Sequence, residues 1–454
     1  MNPKTLIRPR TLKGFQDFLP EIMIPRERMM ETARGVYRSY GFSPIDTPAL
    51  EYLEILAGKG GAETDKQLYQ FEDSGGRRVG LRFDLTVPLA RFAAQYAAEL
   101  GTPFKRYHIG SVWRGEKPQR GRYREFVQCD FDTIGTESIA ADIETALVVH
   151  DLMLAVGFES FAIHVNHRAV LSGMLDKLGL GESASLVLRA LDKLAKIGPD
   201  RVAEEMQQTA GATPAQTSQL LQLADISGSA DEVLRQLRPL VAGNETAQAG
   251  AAKLGELASA TRAAGVSDKR LKIDLSIARG LDYYTGTVFE TYLDALPAIG
   301  SVCSGGRYDN LAGLYTRQKL PGIGGSLGLD RLLAAMEELG LIERVRTPAP
   351  VLVAFFDAER LEDYLKLSAM VRHAGIGCEL YCEAKRLGQQ LKYADRRGFQ
   401  IALIAGSREL DAGVCQVKHL ATGRQQDVSL ADGGEALIAQ LRGLLDEPPE
   451  NQAR

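Results

Sequence analysis

The chain of 454 residues is long enough for two or three domains, and with 45% hydrophobic and 25% charged residues it has the balance of an ordinary soluble globular protein. A formal net charge of -4 excludes a molecule that is basic as a whole, so any contact with RNA has to come from local basic patches. No apolar stretch approaches the roughly 18 residues needed to span a bilayer. Met1 to Gly14 mixes basic residues and prolines without the apolar core of a secretory signal, which points to a cytoplasmic protein.

In chain order, the first predicted element is a helix from Pro25 to Tyr40, with proline at its start and Gly41 just past its end. Phe42 to Leu50 is extended, and Gly58 to Gly61 is a loop. Gln67–Phe71, Arg78–Phe83 and Phe104–Arg114 are strand-like, with connections short enough for antiparallel pairing rather than βαβ units. Val127 to Ile134 is a further strand, followed by a strongly periodic helix from Ile139 to Val156 that Gly157 closes. From about Leu171 to Val266 the composition turns to Ala, Leu, Lys, Glu and Gln, in helix-sized pieces separated by Gly and Pro, which predicts a helical insertion. Strands return at Leu271–Leu275, Thr287–Leu293 and Gly300–Cys303, and Gly324 to Leu339 is a glycine-rich strand running into a helix. Beyond the linker Thr347–Pro350, short strands at Val351–Phe356, Cys378–Tyr381 and Gln400–Ala405 alternate with helices at Leu361–Ala374 and Leu387–Arg397, the pattern of a separate α/β domain. The tail from Asp446 is polar.

Several signals point away from other chemistries. Five scattered cysteines (Cys129, Cys303, Cys378, Cys382 and Cys415) suit free thiols in a reducing compartment better than disulfides. Neither Cys378 and Cys382 nor His164 and His167 have the companion ligands of a metal site, so no metal centre is expected. No phosphate-binding P-loop is present, and Gly322, Gly324, Gly325 and Gly328 do not have dinucleotide spacing. Tyr107-His108-Ile109-Gly110-Ser111 mimics a signature of the Rossmann-based synthetases, but it sits inside a strand-like run and has no downstream lysine loop. The candidate phosphate ligands are instead arginines. Arg114, Lys117, Arg120, Arg122 and Arg124 crowd a Pro/Gly turn, and Arg279 and Arg331 sit at glycine-rich strand ends. Guanidinium suits that role because it binds phosphate bidentately and stacks on flat rings.

Together these residues resemble a family. Arg114-x-Glu116, the basic loop and Phe126 look like motif 2 of the class II aminoacyl-tRNA synthetases, and Gly324 to Arg331 looks like motif 3. Phe42 to Leu50 resembles the degenerate motif 1 of the dimer interface. Arg279-Gly-Leu-Asp-Tyr-Tyr-Thr-Gly and Ser304-Gly-Gly-Arg-Tyr308-Asp are similar to the two signatures of histidyl-tRNA synthetases. Leu81-Arg-Phe-Asp84-Leu-Thr86 and Gln128-Cys-Asp-Phe-Asp132 complete the set.

The resemblance implies an α/β protein with an α+β catalytic core, an antiparallel sheet flanked by helices. The core would occupy residues 1–170 and 267–343, a helical insertion 171–266, an anticodon-binding α/β domain 344–446 and a polar tail 447–454. It implies a histidine–tRNA ligase that uses ATP with bound Mg²⁺, takes histidine and tRNA(His), and works as a homodimer. Arg114 and Arg279 are then the catalytic cations. Asp84, Thr86 and Gln128 are expected at the histidine ammonium, Asp132 and Tyr284 at the imidazole, and Tyr283 and Tyr308 along the pocket wall. Adenine would lie between Phe126 and Arg331 near Glu116, with Arg122 at the outer phosphates. Gln119 and Arg124 match positions that touch the tRNA acceptor end, and Lys385, Arg386, Lys392, Arg396 and Arg397 form the basic stretch of the last domain. The alternatives are a non-catalytic regulatory paralogue of ATP phosphoribosyltransferase, a histidine- or tRNA-sensing module, and another class II synthetase.

Overall fold

The computed structural model describes residues 7–57, 65–119, 121–278, 284–342 and 345–446. The chain divides into two compact units, Met1–Asp17 with Arg28–Ile342 and Phe18–Glu27 with Glu343–Arg454.

The strands of the first unit are β1 (Ser43–Pro44), β2 (Leu50–Tyr52), β3 (Gln70–Glu72), β4 (Arg78–Leu81), β5 (Phe104–Trp113), β6 (Glu125–Ile134), β7 (Phe161–His167), β8 (Leu271–Ile273), β9 (Thr287–Leu293), β10 (Cys303–Tyr308) and β11 (Gly322–Gly328). They build an eight-stranded sheet in the order β1-β5-β6-β11-β10-β9-β7-β8 and a three-stranded sheet β2-β4-β3. From β5 across to β7 every pairing is antiparallel, and only the margins β1–β5 and β7–β8 are parallel. Alternation along each strand separates two faces. One face carries Tyr107, Cys129, Phe131, Cys303 and Leu327, all buried. Tyr37 of the helix Pro20–Ser39 packs there, its ring 5.2 Å from that of Phe131 and its hydroxyl donating to the Cys129 carbonyl at 2.9 Å. The helix Ile139–Val156 packs against β7, β10 and β11. The opposite face carries the polar residues that form the pocket below.

Where the elements differ from expectation, local chemistry gives the reason. The first helix starts at Pro20 rather than Pro25, because Pro20 and Glu21 already supply the proline and acid that favour a first turn. A helix at Thr86–Leu100 was not expected. Asp84 Oδ1 starts it by accepting from the Thr86 and Val87 amides at 3.1 and 2.9 Å, and Pro88 falls in its first turn, where proline is tolerated. The strand expected at Gly300–Cys303 begins only at Cys303 and runs on through Gly305 and Gly306. Glycine is required there: a Cβ on Gly305 would run into the backbone of Gly324 in β11. Residues 65–67 are helical, so the strand expected from Gln67 starts at Gln70. The loop expected at Gly58–Gly61 lies outside the described residues.

Between β7 and β8 the described chain is helical, from Arg168–Lys177 to Glu245–Ala263. Capping boxes at Thr213/Gln216 and Ser229/Glu232 mark two of the helix starts. In the second unit, β12 (Val351–Val353), β13 (Cys378–Leu380), β14 (Ile401–Ile404), β15 (Val414–His419) and β16 (Gln425–Ser429) form a five-stranded sheet ordered β13-β12-β14-β15-β16. Its first three strands are parallel and the last two antiparallel. Val351, Val353, Tyr364, Val371, Ile401, Leu403, Leu437 and Leu441 form its core.

One buried ion pair joins the sheet to its covering helix. The Arg307 guanidinium on β10 meets Asp142 in the helix Ile139–Val156 and also donates to the carbonyls of Thr136 (2.9 Å) and Ser138 (3.2 Å). Asp142 in turn accepts from the Thr287 hydroxyl at 2.6 Å. Removing one partner strands the other charge in the interior. Arg307→Ala should therefore lower stability by about 3–5 kcal/mol, read as an earlier midpoint in urea unfolding followed by circular dichroism.

Candidate active site

The pocket floor is the open face of the large sheet, and its composition follows from register. On β6 the alternation puts Gln128, Asp130 and Asp132 on one face. Across from them stand Gly110, His108 and Arg106 on β5, and Gly328, Ser326 and Gly324 on β11. The same rows continue through Ser304 and Gly306 on β10 to Glu290 and Val288 on β9. A row of polar side chains thus crosses the sheet, and glycines beside it leave room above the floor.

These groups are buried and interlocked. Arg106, wholly buried, pairs with Asp132 at 2.5 Å, and the Tyr308 hydroxyl donates to the other Asp132 oxygen at 2.5 Å. The Gln128 amide nitrogen donates to the Ser326 hydroxyl at 2.7 Å. Burial raises the carboxyl pKa of Asp132 and Asp84 above the usual range, against the pull of nearby arginines. Burial pushes Asp130 up to about 7, Arg106 opposing and Asp132 adding to the rise. His108, which lies 3.0 Å from Asp46, is pushed down to about 4 by burial and by the neighbouring arginines, so it is neutral at pH 7.

Toward the other end the pocket becomes cationic. Arg114, just after β5, donates to the Phe83 carbonyl at 3.1 Å and lies over the rings of Phe83 and Phe126 at 4.4 and 4.9 Å. Arg122 reaches the pocket from a tight turn closed by paired backbone bonds with Gln119 (3.0 and 2.9 Å), where Gly121 has a positive φ of 67°. Arg331 begins on the helix Leu329–Glu338, at the end of β11, and donates to the Ser301 carbonyl. Its neighbour Asp330 ties that helix to β6 by accepting from the Val127 amide at 2.9 Å.

Around one cavity of about 390 Å³ the structure therefore assembles Gln128, Asp132, Tyr284 and Tyr308 at the acidic end, Arg114, Glu116, Arg122, Phe126 and Arg331 at the basic end, and Asp84 and Thr86 just past Phe83, whose carbonyl holds Arg114. Arg279 and Tyr283 lie outside the described residues. Gln119 and Arg124 are not in the cavity wall. Gln119 is exposed, and Arg124 donates to the carbonyls of Glu116 and Lys13 at 3.1 and 3.4 Å. The sequence reading passed over Asp130, Ser304, Ser326 and Glu290 in the wall and Arg106 beneath it. Two-residue alternation from Gln128 through Asp130 to Asp132 was the available signal. Among the described residues no cluster of His, Cys, Asp and Glu could hold a metal by itself; His164 pairs with Asp274 at 2.7 Å, and His167 caps a helix.

A mostly antiparallel sheet with an acid-to-arginine pocket on its open face, a motif 2 loop and a motif 3 strand–helix define the catalytic unit of a class II aminoacyl-tRNA synthetase. The family model described as histidyl-tRNA synthetase matches residues 14–332, and that of an anticodon binding domain matches 350–440. A histidine–tRNA ligase from Rhodopirellula baltica is 61% identical over 96% of this chain and 99% of its own, and one from Wolinella succinogenes is 44% identical over 96% and 100%. The crystal structure of histidyl-tRNA synthetase from a Nostoc species superposes with a TM-score of 0.88 at 37% identity, covering 96% of this chain and 100% of that one. The chain belongs to the histidyl-tRNA synthetase family. A Bacillus halodurans chain titled ATP phosphoribosyltransferase regulatory subunit/histidyl-tRNA synthetase aligns with a TM-score of 0.73 at 23% identity, a likeness of fold alone.

The glycine beneath Asp132 supplies a test of this geometry. A Cβ on Gly324 would collide with the Asp132 carboxylate and the Phe131 carbonyl, both in β6. Gly324→Ala should displace Asp132 from Tyr308 and Arg106. The expected result is a loss of roughly 100-fold in kcat/KM for the amino acid, measured by steady-state kinetics on protein that retains its circular dichroism spectrum.

Proposed function

We infer that this chain is a histidine–tRNA ligase. It activates histidine with ATP to give histidyl-adenylate and pyrophosphate, then transfers the histidyl group to the 3′ end of tRNA(His). The observation that carries this is the division of one pocket into an acidic end and an arginine end, in a chain of this family. Histidine brings an ammonium and an imidazole that need acceptors, and ATP brings phosphates that need donors. Asp84, Thr86 and Gln128 receive the ammonium; Asp132, Tyr284 and Tyr308, with Tyr283, enclose the ring. A substrate lacking the ring nitrogens would forgo its hydrogen bonds to those groups, which is a basis for rejection.

The carboxylate of histidine attacks the α-phosphorus, the bond to the pyrophosphate oxygen breaks, and pyrophosphate leaves with its electron pair. Two anions must approach, so fixed cations are needed where negative charge gathers. Arg114, oriented by a carbonyl and two rings, fills that role, and the resemblance to the family assigns Arg279 to share it. Phe126 and Arg331 sandwich the adenine beside Glu116, and Arg122 takes the outer phosphates. Mg²⁺ enters with the nucleotide and neutralises its phosphate charge.

Residues 1–170 and 267–343 then form the activating core, 171–266 the insertion and 344–446 the anticodon-reading domain. Lys385, Arg386, Lys392, Arg396 and Arg397 offer that domain's phosphate contacts, and Gln119 and Arg124 those to the acceptor end. A homodimer joined through Phe42–Leu50 and a cytoplasmic setting complete the proposal. No helix among the described residues is long and apolar enough to cross a membrane.

Purified protein should catalyse histidine-dependent exchange between ATP and pyrophosphate and load histidine onto tRNA(His). Absence of exchange with every amino acid would overturn the enzyme reading and favour the regulatory or sensing alternative. Arg279→Ala should slow adenylate formation by roughly 100- to 1000-fold in single-turnover assays while leaving the histidine dissociation constant nearly unchanged.

A further inference from the structure

We propose that Asp130 is a specificity-determining residue whose carboxylate receives an N–H of the substrate's α-ammonium, beside the amide oxygen of Gln128. The inference rests on the reading of this pocket as the histidine site and adds to it a residue that reading does not use.

The argument is a count of acceptors. Asp132 Oδ1 accepts from Tyr308, and Oδ2, though without a hydrogen-bond donor, has its charge paired with Arg106 at 2.5 Å. Asp84 Oδ1 already takes two backbone amides at the start of its helix. The Gln128 amide nitrogen is directed at Ser326, while its Oε1 is buried with no hydrogen-bond partner. Asp130 is 1% exposed and lines the cavity, and its Oδ1 is likewise buried and unpartnered. Two unsatisfied acceptors thus stand two residues apart on the same face of one strand. Buried acceptors without donors are costly, and a ligand's donors relieve the cost. A neutral imidazole offers one N–H and one acceptor nitrogen, so it cannot serve two neighbouring acceptors. An ammonium offers three donors and no acceptor, and it can.

The charges around Asp130 favour a cation in this place. Arg106 and His108 face it from β5, Arg82 and Asp84 from the segment before the helix Thr86–Leu100, Asp132 from its own strand and Ser326 from β11. Cys303 and Tyr37 lie on the other side of the sheet. His108 is neutral near pH 7, and Arg106 is shared with Asp132. With its carboxyl pushed up to about 7 mainly by burial, Asp130 is only partly ionised at neutrality in the empty pocket. A bound ammonium shifts it to the ionised form. The folded-state value is raised, so the ionised acceptor is present above about pH 7 and is lost as pH falls through it.

The test compares full-length wild type with Asp130→Asn by calorimetric titration at about pH 8, using histidine and imidazolepropanoate, which is histidine without its ammonium. Asparagine has the same shape and removes a buried charge, so the variant should melt no lower than wild type; Asp130→Ser serves if it does. The variant should lose roughly tenfold or more in affinity for histidine and less than about twofold for imidazolepropanoate. The ratio of wild-type to variant affinity for histidine should shrink toward one as pH is lowered through about 7, since titration of the ligand's ring is common to both proteins. Equal losses for both ligands, or a ratio that ignores pH, would overturn the assignment of Asp130. Failure of wild type to bind histidine at all would instead overturn the histidine reading itself, and this inference with it.

Discussion

Arg106 lies wholly buried on the same face of the sheet as Asp132, and much of the site depends on it. It is the cation that faces the carboxylates of β6 from within the sheet, and its pairing with Asp132 sets where that carboxylate points. Asp132 then accepts from Tyr308 on β10, although β11 lies between the two strands. That reach across a strand works because β11 presents Gly324 at the crossing, with no side chain in the way. A guanidinium, a carboxylate and a phenol thus join three strands, and a glycine in a fourth makes the joint possible. Burying such a pair is costly unless its remaining donors and acceptors are used. Here Asp132 Oδ1 accepts from Tyr308 and Oδ2 is ion-paired with Arg106, whose Nε and Nη1 are buried without a hydrogen-bond partner.

From that joint the pocket polarises along its length. The acids sit mid-sheet, where strand alternation points them at the open face, and the arginines sit at strand ends and in the loop beyond. Arg114 is oriented by a carbonyl and by aromatic rings, which hold a guanidinium in place without cancelling its charge. Carboxylates used as clamps would have left less positive charge for a phosphate. The acidic end shows the converse arrangement: burial raises the carboxyl pKa of Asp132 and pushes that of Asp130 up to about 7, so a ligand's positive charge favours their ionised forms.

The sequence makes the broad plan readable because periodicity and punctuation are local. The helix Ile139–Val156, the helical insertion and the alternating last domain were all visible in this way. Two kinds of feature were not. The helix Thr86–Leu100 was not expected, although Pro88 in its first turn is harmless and Asp84 caps the start. Gly305 and Gly306 lie beyond the strand expected to end at Cys303, yet they belong to β10, because the cost of glycine in a strand is offset where another backbone comes too close for a Cβ. β15 and β16 escaped because their alternation is weak and β16 is largely exposed. Within the site, motif matching found the arginines and aromatics. Asp130 and Arg106 needed register: the first is an alternation partner of two residues already chosen, and the second matters only through the strand beside it.

The hold on the motif 2 loop has a consequence for handling the protein. The Arg124 amide donates to the Gly14 carbonyl at 2.8 Å, its guanidinium donates to the Lys13 carbonyl, and a Cβ on Gly14 would strike Pro118 and Arg124. Lys13 and Gly14 therefore form a brace laid against the loop that brings Arg122 to the pocket. Shortening the protein past Gly14, or attaching a bulky tag close before it, would disturb the loop that carries Arg122 from a point far away in sequence. Such damage would be mistaken for an active-site defect in any assay that reads only turnover.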